Sequence, residues 1–275
     1  MTLIALLPGL YAILLWWFAT GIILLLDNLH PRTYPWSLGG CALLAAASLY
    51  GIAATSDSTS VASAYCAFTC ALLVWALIEM SFLMGVVTGS WRRDCPPGAT
   101  GVRRLKYALA AILHHELAII VAAALIAAAI LDGANKLALW TFIALWAMRQ
   151  SAKVNLFLGV RNTGEQLLPP RIEYMKSFFR KRPMNPLFPV SITVLTAASA
   201  MLVMAAVAAP AGTQEAASLT LLATLVLLGT LEHWFLMLPL DVEALWRWSL
   251  KARKGKAAQR LDPMRAIAAP PRSAR

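Results

Sequence analysis

Charge is scarce in this chain. Asp, Glu, Lys and Arg make up 13% of its 275 residues, against 60% hydrophobic residues, and mean hydropathy is +0.67. A soluble domain of this size needs far more charge to stay dispersed, so the composition excludes one and implies an integral membrane protein. Cysteine is limited to four residues. Cys41, Cys66, Cys70 and Cys95 lack metal-type spacing, and Cys66 and Cys70, one helical turn apart, are poorly placed for a disulfide. They read as small packing residues. No basic residue precedes the first apolar run and no A-x-A site follows it, so that run reads as a retained span rather than a cleaved signal. Strict apolar–polar alternation is also missing, which favours helices over barrel strands.

What is present is a set of seven apolar runs, near 3–26, 36–55, 62–88, 105–131, 137–160, 187–210 and 217–240. Each is long enough to cross a hydrocarbon core of ~30 Å at ~20 residues per span. The fold class expected is therefore all-α: a polytopic membrane protein of seven transmembrane helices. The net charge of +11 raises the question of nucleic acid, but its distribution answers it differently. Residues 27–35 carry one basic side chain, 89–106 five, 161–186 six and the tail from 241 nine, which is 21 of the 24. Lys136 alone lies on the opposite side, and Arg149 and Lys153 fall within the fifth run. This asymmetry predicts a periplasmic N terminus and a cytoplasmic C terminus. Residues 1–250 are expected to form one domain, followed by a basic tail over 251–275, partly disordered. Most tryptophans sit toward run ends, as interfacial anchors do.

The cytoplasmic piece 171–182 places Ile172, Met175 and Phe179 at helical spacing beside Lys176, Arg180, Lys181 and Arg182. That pattern suits either a short helix lying on an anionic leaflet or ordinary positive-inside flanking. Gly85 and Gly89 form a small-x-x-x-small pair that signals close packing.

The most informative residues are ionisable groups inside the apolar runs: Glu79, His114, His115, Glu116, Arg149, Lys153, Glu232 and His233. Counting helix rise at ~1.5 Å per residue puts Glu79, His114, Lys153 and Glu232 at one depth, ~10–14 Å from the cytoplasmic boundary, with Arg149 and Glu116 slightly deeper. An unpaired charge in mid-membrane costs ~2.5–3.5 kcal/mol, so such groups pair, bind something or carry protons. Arg149 and Lys153 stand four apart on one helix face and need counter-charge, which Glu79, Glu116 and Glu232 can supply. His114, His115 and Glu116 are consecutive and point ~100° apart, so all three cannot bind one small ion from an undistorted helix. His115 with Glu79 and with Glu232 or His233 could still form a mixed His/carboxylate site suited to iron, manganese or zinc. A single histidine among His114, His115 and His233 could instead ligate the magnesium of a chlorophyll-type pigment. A purely structural network of hydrogen bonds and ion pairs is the third reading. Two alternatives fall away: soluble di-iron bundles need paired Glu-x-x-His motifs, which are absent, and retinal proteins need a lysine in the seventh span, where 217–240 has none. Ser151, Asn155, Gly159 and Asn162 add a second polar stripe to the fifth run, which places that helix centrally.

Several segments resemble the PuhE family, photosynthetic-complex assembly proteins of purple bacteria whose gene lies near that of the reaction-centre H subunit. They are 65–85 (YCAFTCALLVWALIEMSFLMG), 114–117 (HHEL), 155–162 (NLFLGVRN), 176–189 (KSFFRKRPMNPLFP) and 231–235 (LEHWF). The resemblance implies a bacterial inner (intracytoplasmic) membrane factor for reaction-centre or light-harvesting assembly, or for bacteriochlorophyll supply. Its implied partners are complex subunits, pigment-synthesis proteins and membrane lipids, not nucleic acid. It brings no catalytic residues. The chief alternative is a membrane metalloenzyme acting on a tetrapyrrole or using quinol and oxygen. A proton-coupled carrier would be expected to show repeated halves, which the sequence lacks.

Overall fold

A computed structural model describes residues 3–249, apart from 239 and 241; the tail expected over 251–275 lies outside the described residues. Seven α-helices account for most of them: α1 (Leu3–Asp27), α2 (Tyr34–Ala54), α3 (Val61–Leu83), α4 (Gly101–Ala129), α5 (Leu137–Leu158), α6 (Leu187–Ala208) and α7 (Gln214–Phe235). Six of these, all but α5, are long and apolar enough to cross a membrane, and the protein is of the multi-pass membrane type. The difference from the seven expected spans has a plain cause. Arg149, Gln150, Ser151, Lys153 and Asn155 dilute the apolar content of α5, although at 22 residues it matches α6 and α7 in length.

Short polar side chains set several helix starts. Ser60 accepts a hydrogen bond from the Ser63 amide and Thr213 from that of Ala216, while the Asn185 carboxamide accepts from Leu187 and Phe188. Each satisfies amide donors that an isolated helix end leaves orphaned. At the C terminus of α4, the Lys136 ammonium donates to the carbonyls of Ile130 and Leu131. The lone base of that side therefore neutralises a helix C-terminal dipole. The same end is tied by Asn135, whose amide donates to Ser56 and whose carboxamide donates to Ser63.

The core centres on α3, which packs against α1, α2, α4, α5 and α7. Phe68, Trp75 and Ile78 of α3 meet Ile119 and Ile126 of α4, Phe142 of α5, and Leu221 and Leu225 of α7. Trp75 and Phe142 make an edge-to-face pair at 5.3 Å.

At the opposite end, where the basic loops gather, the structure departs from the expected boundaries. α3 stops at Leu83 rather than near 88, and Gly85 turns the chain with φ of +73°. The chain then runs back along α4. The Trp91 amide donates to the Ala110 carbonyl, and the His115 amide to that of Thr88. Gly89 lies so close that a Cβ would sit 2.1 Å from the Ala110 oxygen. The Gly85–Gly89 pair thus serves backbone approach in a loop, not packing along a helix ridge. α4 begins correspondingly early, and its 29 residues span about 43 Å.

This extra length is sheathed by protein. Phe82, Ala111, Ile172, Met175 and Phe178 form a second apolar cluster, packed by Trp91, Tyr107 and Phe179. The segment for which a leaflet-bound helix was one of two readings forms 3-10 turns over Pro170–Phe178, kinked at Ile172, and its apolar stripe turns into this cluster rather than toward lipid. Arg104 ties the cap to the bundle. It is buried, donates to the carbonyls of Phe157 (3.0 Å) and Phe178 (2.5 Å), and lies 4.0 Å over the Phe157 ring. One guanidinium thus serves the C-terminal carbonyls of two elements, where positive charge is favoured. Replacing Arg104 with alanine is expected to cost roughly 2–4 kcal/mol, from two charged hydrogen bonds. A lower thermal midpoint in detergent, with faster proteolysis within 84–99 and 159–186, checks this.

Candidate functional site

The ionisable residues lie at one level of the bundle but are shared among several places. On α3, Glu79 is 8% exposed. Its Oε2 accepts from Arg149 Nη2 of α5 at 2.7 Å. Its other oxygen, Oε1, faces His115 Nε2 of α4 at 3.7 Å. That separation exceeds a hydrogen bond, and Oε1 and both His115 ring nitrogens have no hydrogen-bond partner. His115 is fully buried, with the Phe82 ring 4.4 Å away. The Arg149 side chain is 40% exposed, and its Nε is also unpartnered.

One turn along α5, Lys153 donates to Glu116 Oε1 at 2.6 Å, and Gln150 donates to Oε2 at 2.5 Å. These side chains are mostly buried, Lys153 at 17% and Glu116 at 19% exposure. The two cations of α5 therefore each have their own carboxylate, from different helices. Two charges that repel one another along a helix face are separated by two counter-charges that flank it.

Helix phase decides where the rest go. His114, ~100° around α4 from His115, is exposed on the outer face and stays apart from the group. His233, buried on α7, places Nδ1 2.7 Å from the Gly229 carbonyl and Nε2 2.9 Å from Ser151 Oγ. The carbonyl can only accept, so Nδ1 donates and Nε2 accepts from the serine hydroxyl. Both nitrogens are spent, which leaves none for a metal or pigment. Glu232, beside it, accepts from Trp16 Nε1 of α1 at 2.9 Å and lies within electrostatic reach of Arg149 and Glu79. Among the described residues, no three His, Cys, Asp or Glu side chains gather as a metal-holding group. Of the metal candidates Glu79, His115, Glu116, Glu232 and His233, only Glu79 and His115 face one another with unspent atoms. Two donors fall short of the three or four that a transition-metal centre uses.

The second stripe of α5 is a seam of hydrogen bonds. Asn155 donates to Ser191 Oγ of α6, Asn185 donates to the carbonyls of Asn155 and Gly159, and Asn162 donates to the Phe235 carbonyl at the end of α7. α5 packs against α3, α4, α6 and α7, so both polar faces are occupied by protein.

Three contributors were not among the residues singled out by depth. Gln150 carries no charge, though its spacing of three from Lys153 puts it on the same face. Trp16 read as an interfacial anchor, yet it stands eleven residues before Asp27, the end of α1. Arg104 was one basic residue among many, and only its burial distinguishes it.

Stability should report the second pair sharply. Lys153→Met strands a mostly buried carboxylate and is expected to cost roughly 3–5 kcal/mol. Adding Glu116→Gln should restore much of that loss, seen as recovered thermal stability in detergent. Strictly additive losses would show that the pair is not coupled.

A family profile described as "Protein of unknown function (DUF3623)" matches residues 2–257, and the chain belongs to that family. It is also 39% identical over 267 residues to a Rhodobacter capsulatus protein described as "Uncharacterized 30.4 kDa protein in puhA 5'region", covering 94% of this chain and 95% of that one. No solved structure matches.

Proposed function

We propose that this member of the DUF3623 family is a seven-span inner-membrane protein, N terminus periplasmic and C terminus cytoplasmic, that serves photosynthetic reaction-centre or light-harvesting assembly, or the supply of bacteriochlorophyll to it. The observation that carries the reading is the likeness, along nearly the whole chain, to a protein encoded in the puhA 5' region. The motifs that resemble the PuhE family point the same way.

The pairing of α5 supports a reading of seven spans rather than six. Its cations are matched by Glu79 and Glu116, so the charges that lower its apolar content are neutralised within the bundle. An odd number of spans also puts the basic loops and the basic tail on one side, as the positive-inside rule requires.

In this reading the polar layer has two parts. The Lys153–Glu116 pair and the asparagine seam hold α5 in place. The Glu79–His115–Arg149 group offers buried atoms with unspent hydrogen-bonding capacity, fit to meet a polar group of a pigment or of a client protein. The metalloenzyme reading would have to build on Glu79 and His115 alone, and the donor count favours the assembly role.

In a phototrophic host carrying this gene, its deletion is expected to lower reaction-centre absorbance per unit of membrane protein. His115→Phe removes two unpartnered nitrogens while keeping a ring against Phe82, so its thermal stability should equal or exceed that of the native protein. Reaction-centre absorbance should nevertheless fall. Unchanged absorbance in the deletion strain would refute the assembly role. Unchanged absorbance in the variant alone would remove His115 from it.

A further inference from the structure

Positive charge gathers without counter-charge at the end of α5. Val160, just past that helix, pairs in parallel with Lys181. The Val160 amide donates to the Arg180 carbonyl, and the Arg182 amide donates to that of Val160, each at 3.0 Å. Alternation along this extended stretch turns Arg180 and Arg182 to one side and Lys181 to the other. Lys181 has its own acid, Glu165. The side chains of Arg180 and Arg182 have no acid and no hydrogen-bond acceptor among the described residues. The Arg182 stem lies over Gly159, where a Cβ would sit 2.7 Å from its Cδ. Both arginines are within electrostatic reach of the buried Arg104.

The helix end does not absorb this charge. The carbonyls of Asn155 and Gly159 accept from the Asn185 carboxamide, that of Leu156 from the Arg180 amide, and that of Phe157 from Arg104. Of the three guanidinium groups, only that of Arg104 is met by carbonyls. The location matters as much as the charge. α6 is apolar enough to cross a membrane and begins at Leu187, so residues 180–186 stand at the level where that span meets the surface. Met184 is exposed there, and Val190 and Val194 are exposed one turn apart on the outer face of α6.

We propose that Arg180 and Arg182, backed by Arg104, form a binding site for the phosphodiester headgroup of an anionic lipid whose acyl chains lie along Val190 and Val194. A phosphodiester supplies the missing negative charge and presents oxygens that a planar guanidinium takes two at a time. The exposed apolar face that continues from the site selects a lipid over a free phosphate. The stripe of Ile172, Met175 and Phe178 is committed to the protein interior, so this is a headgroup site beside a span and not a helix laid on the leaflet. The inference does not depend on the photosynthetic role.

The test reconstitutes the full-length protein in phosphatidylcholine vesicles at about 0.15 M salt, where charges beyond ~8 Å are largely screened. Tryptophan quenching by brominated-chain phosphatidylglycerol, set against brominated-chain phosphatidylcholine, gives the relative binding constant. The native protein is expected to prefer the anionic lipid roughly tenfold. Arg180→Gln combined with Arg182→Gln should bring the preference close to one. Its thermal midpoint in phosphatidylcholine alone should equal or exceed the native value, because repulsion is relieved. Arg93→Gln combined with Lys106→Gln removes the same charge from exposed positions elsewhere and should leave the preference intact. Equal binding of the two lipids by the native protein would overturn the proposal. So would equal losses in the two double variants, which would make the preference a property of the whole basic face. Displacement of the brominated lipid by millimolar inorganic phosphate would overturn it as well, since the occupant would then be a soluble anion.

Discussion

The arrangement depends on how α5 is neutralised. Arg149 and Lys153 are the two groups that would keep this helix out of hydrocarbon, and each is held by a carboxylate from a different neighbour, Glu79 on α3 and Glu116 on α4. Neither pair could form if α3, α4 and α5 were not side by side, so the pairing specifies which helices are neighbours as well as offsetting the cost of burial. The apolar contacts of Phe68, Trp75, Phe142 and Leu221 fill the same helix junctions but carry less directional information. Polar contacts on the other face of α5, through Ser151 and Asn155, then fix α6 and α7.

The cap over the basic side serves the same layer. Because α3 ends at Leu83 and the chain returns along α4, the Thr88 carbonyl meets the His115 amide and Phe82 covers the His115 ring. His115 is thereby sealed among apolar groups, backbone and the Glu79 carboxylate, its nitrogens without hydrogen-bond partners. Arg104 holds this lid through carbonyls at the ends of α5 and of Pro170–Phe178. A conformational change that opens the cap would have to break these bonds first, and it would expose the Glu79–His115 pair.

Much of this was readable from residue order. The seven apolar runs became seven α-helices, and Glu79 with Arg149 and His115, and Glu116 with Lys153, come together across α3, α4 and α5, while His114 points away. Helix ends were less legible. The run toward 88 looked continuous, but the helix ends at Gly85, whose left-handed backbone lets the Val86 amide reach back to the Ser81 carbonyl, and the chain beyond it approaches α4 at Gly89. The depth count placed Glu79 nine residues from its helix end, whereas Leu83 lies four beyond it. The shared level survives because the chain after α3 continues along α4, with Thr88 beside His115, so Glu79 and His115 still face one another. Phase within the layer was legible for His114 and His115, whose ~100° separation sends one outward and one inward. It was not legible for His233, because nothing in the sequence says that Gly229 and Ser151 would occupy both its nitrogens. The stripe of Ile172 and Met175 was correctly apolar, but periodicity cannot tell a protein surface from a lipid one.

The proposed crossing of the membrane by α5 depends on neutralisation of its cations by Glu79 and Glu116. In a version of the protein with its four cysteines replaced, single cysteines substituted at Lys136 and Arg161 flank α5 and can be labelled with a membrane-impermeant thiol reagent in intact cells and in inverted vesicles. Labelling from opposite sides is expected, with that separation lost when Glu79→Gln and Glu116→Gln are combined. Labelling of both positions from the same side in the native background would contradict it.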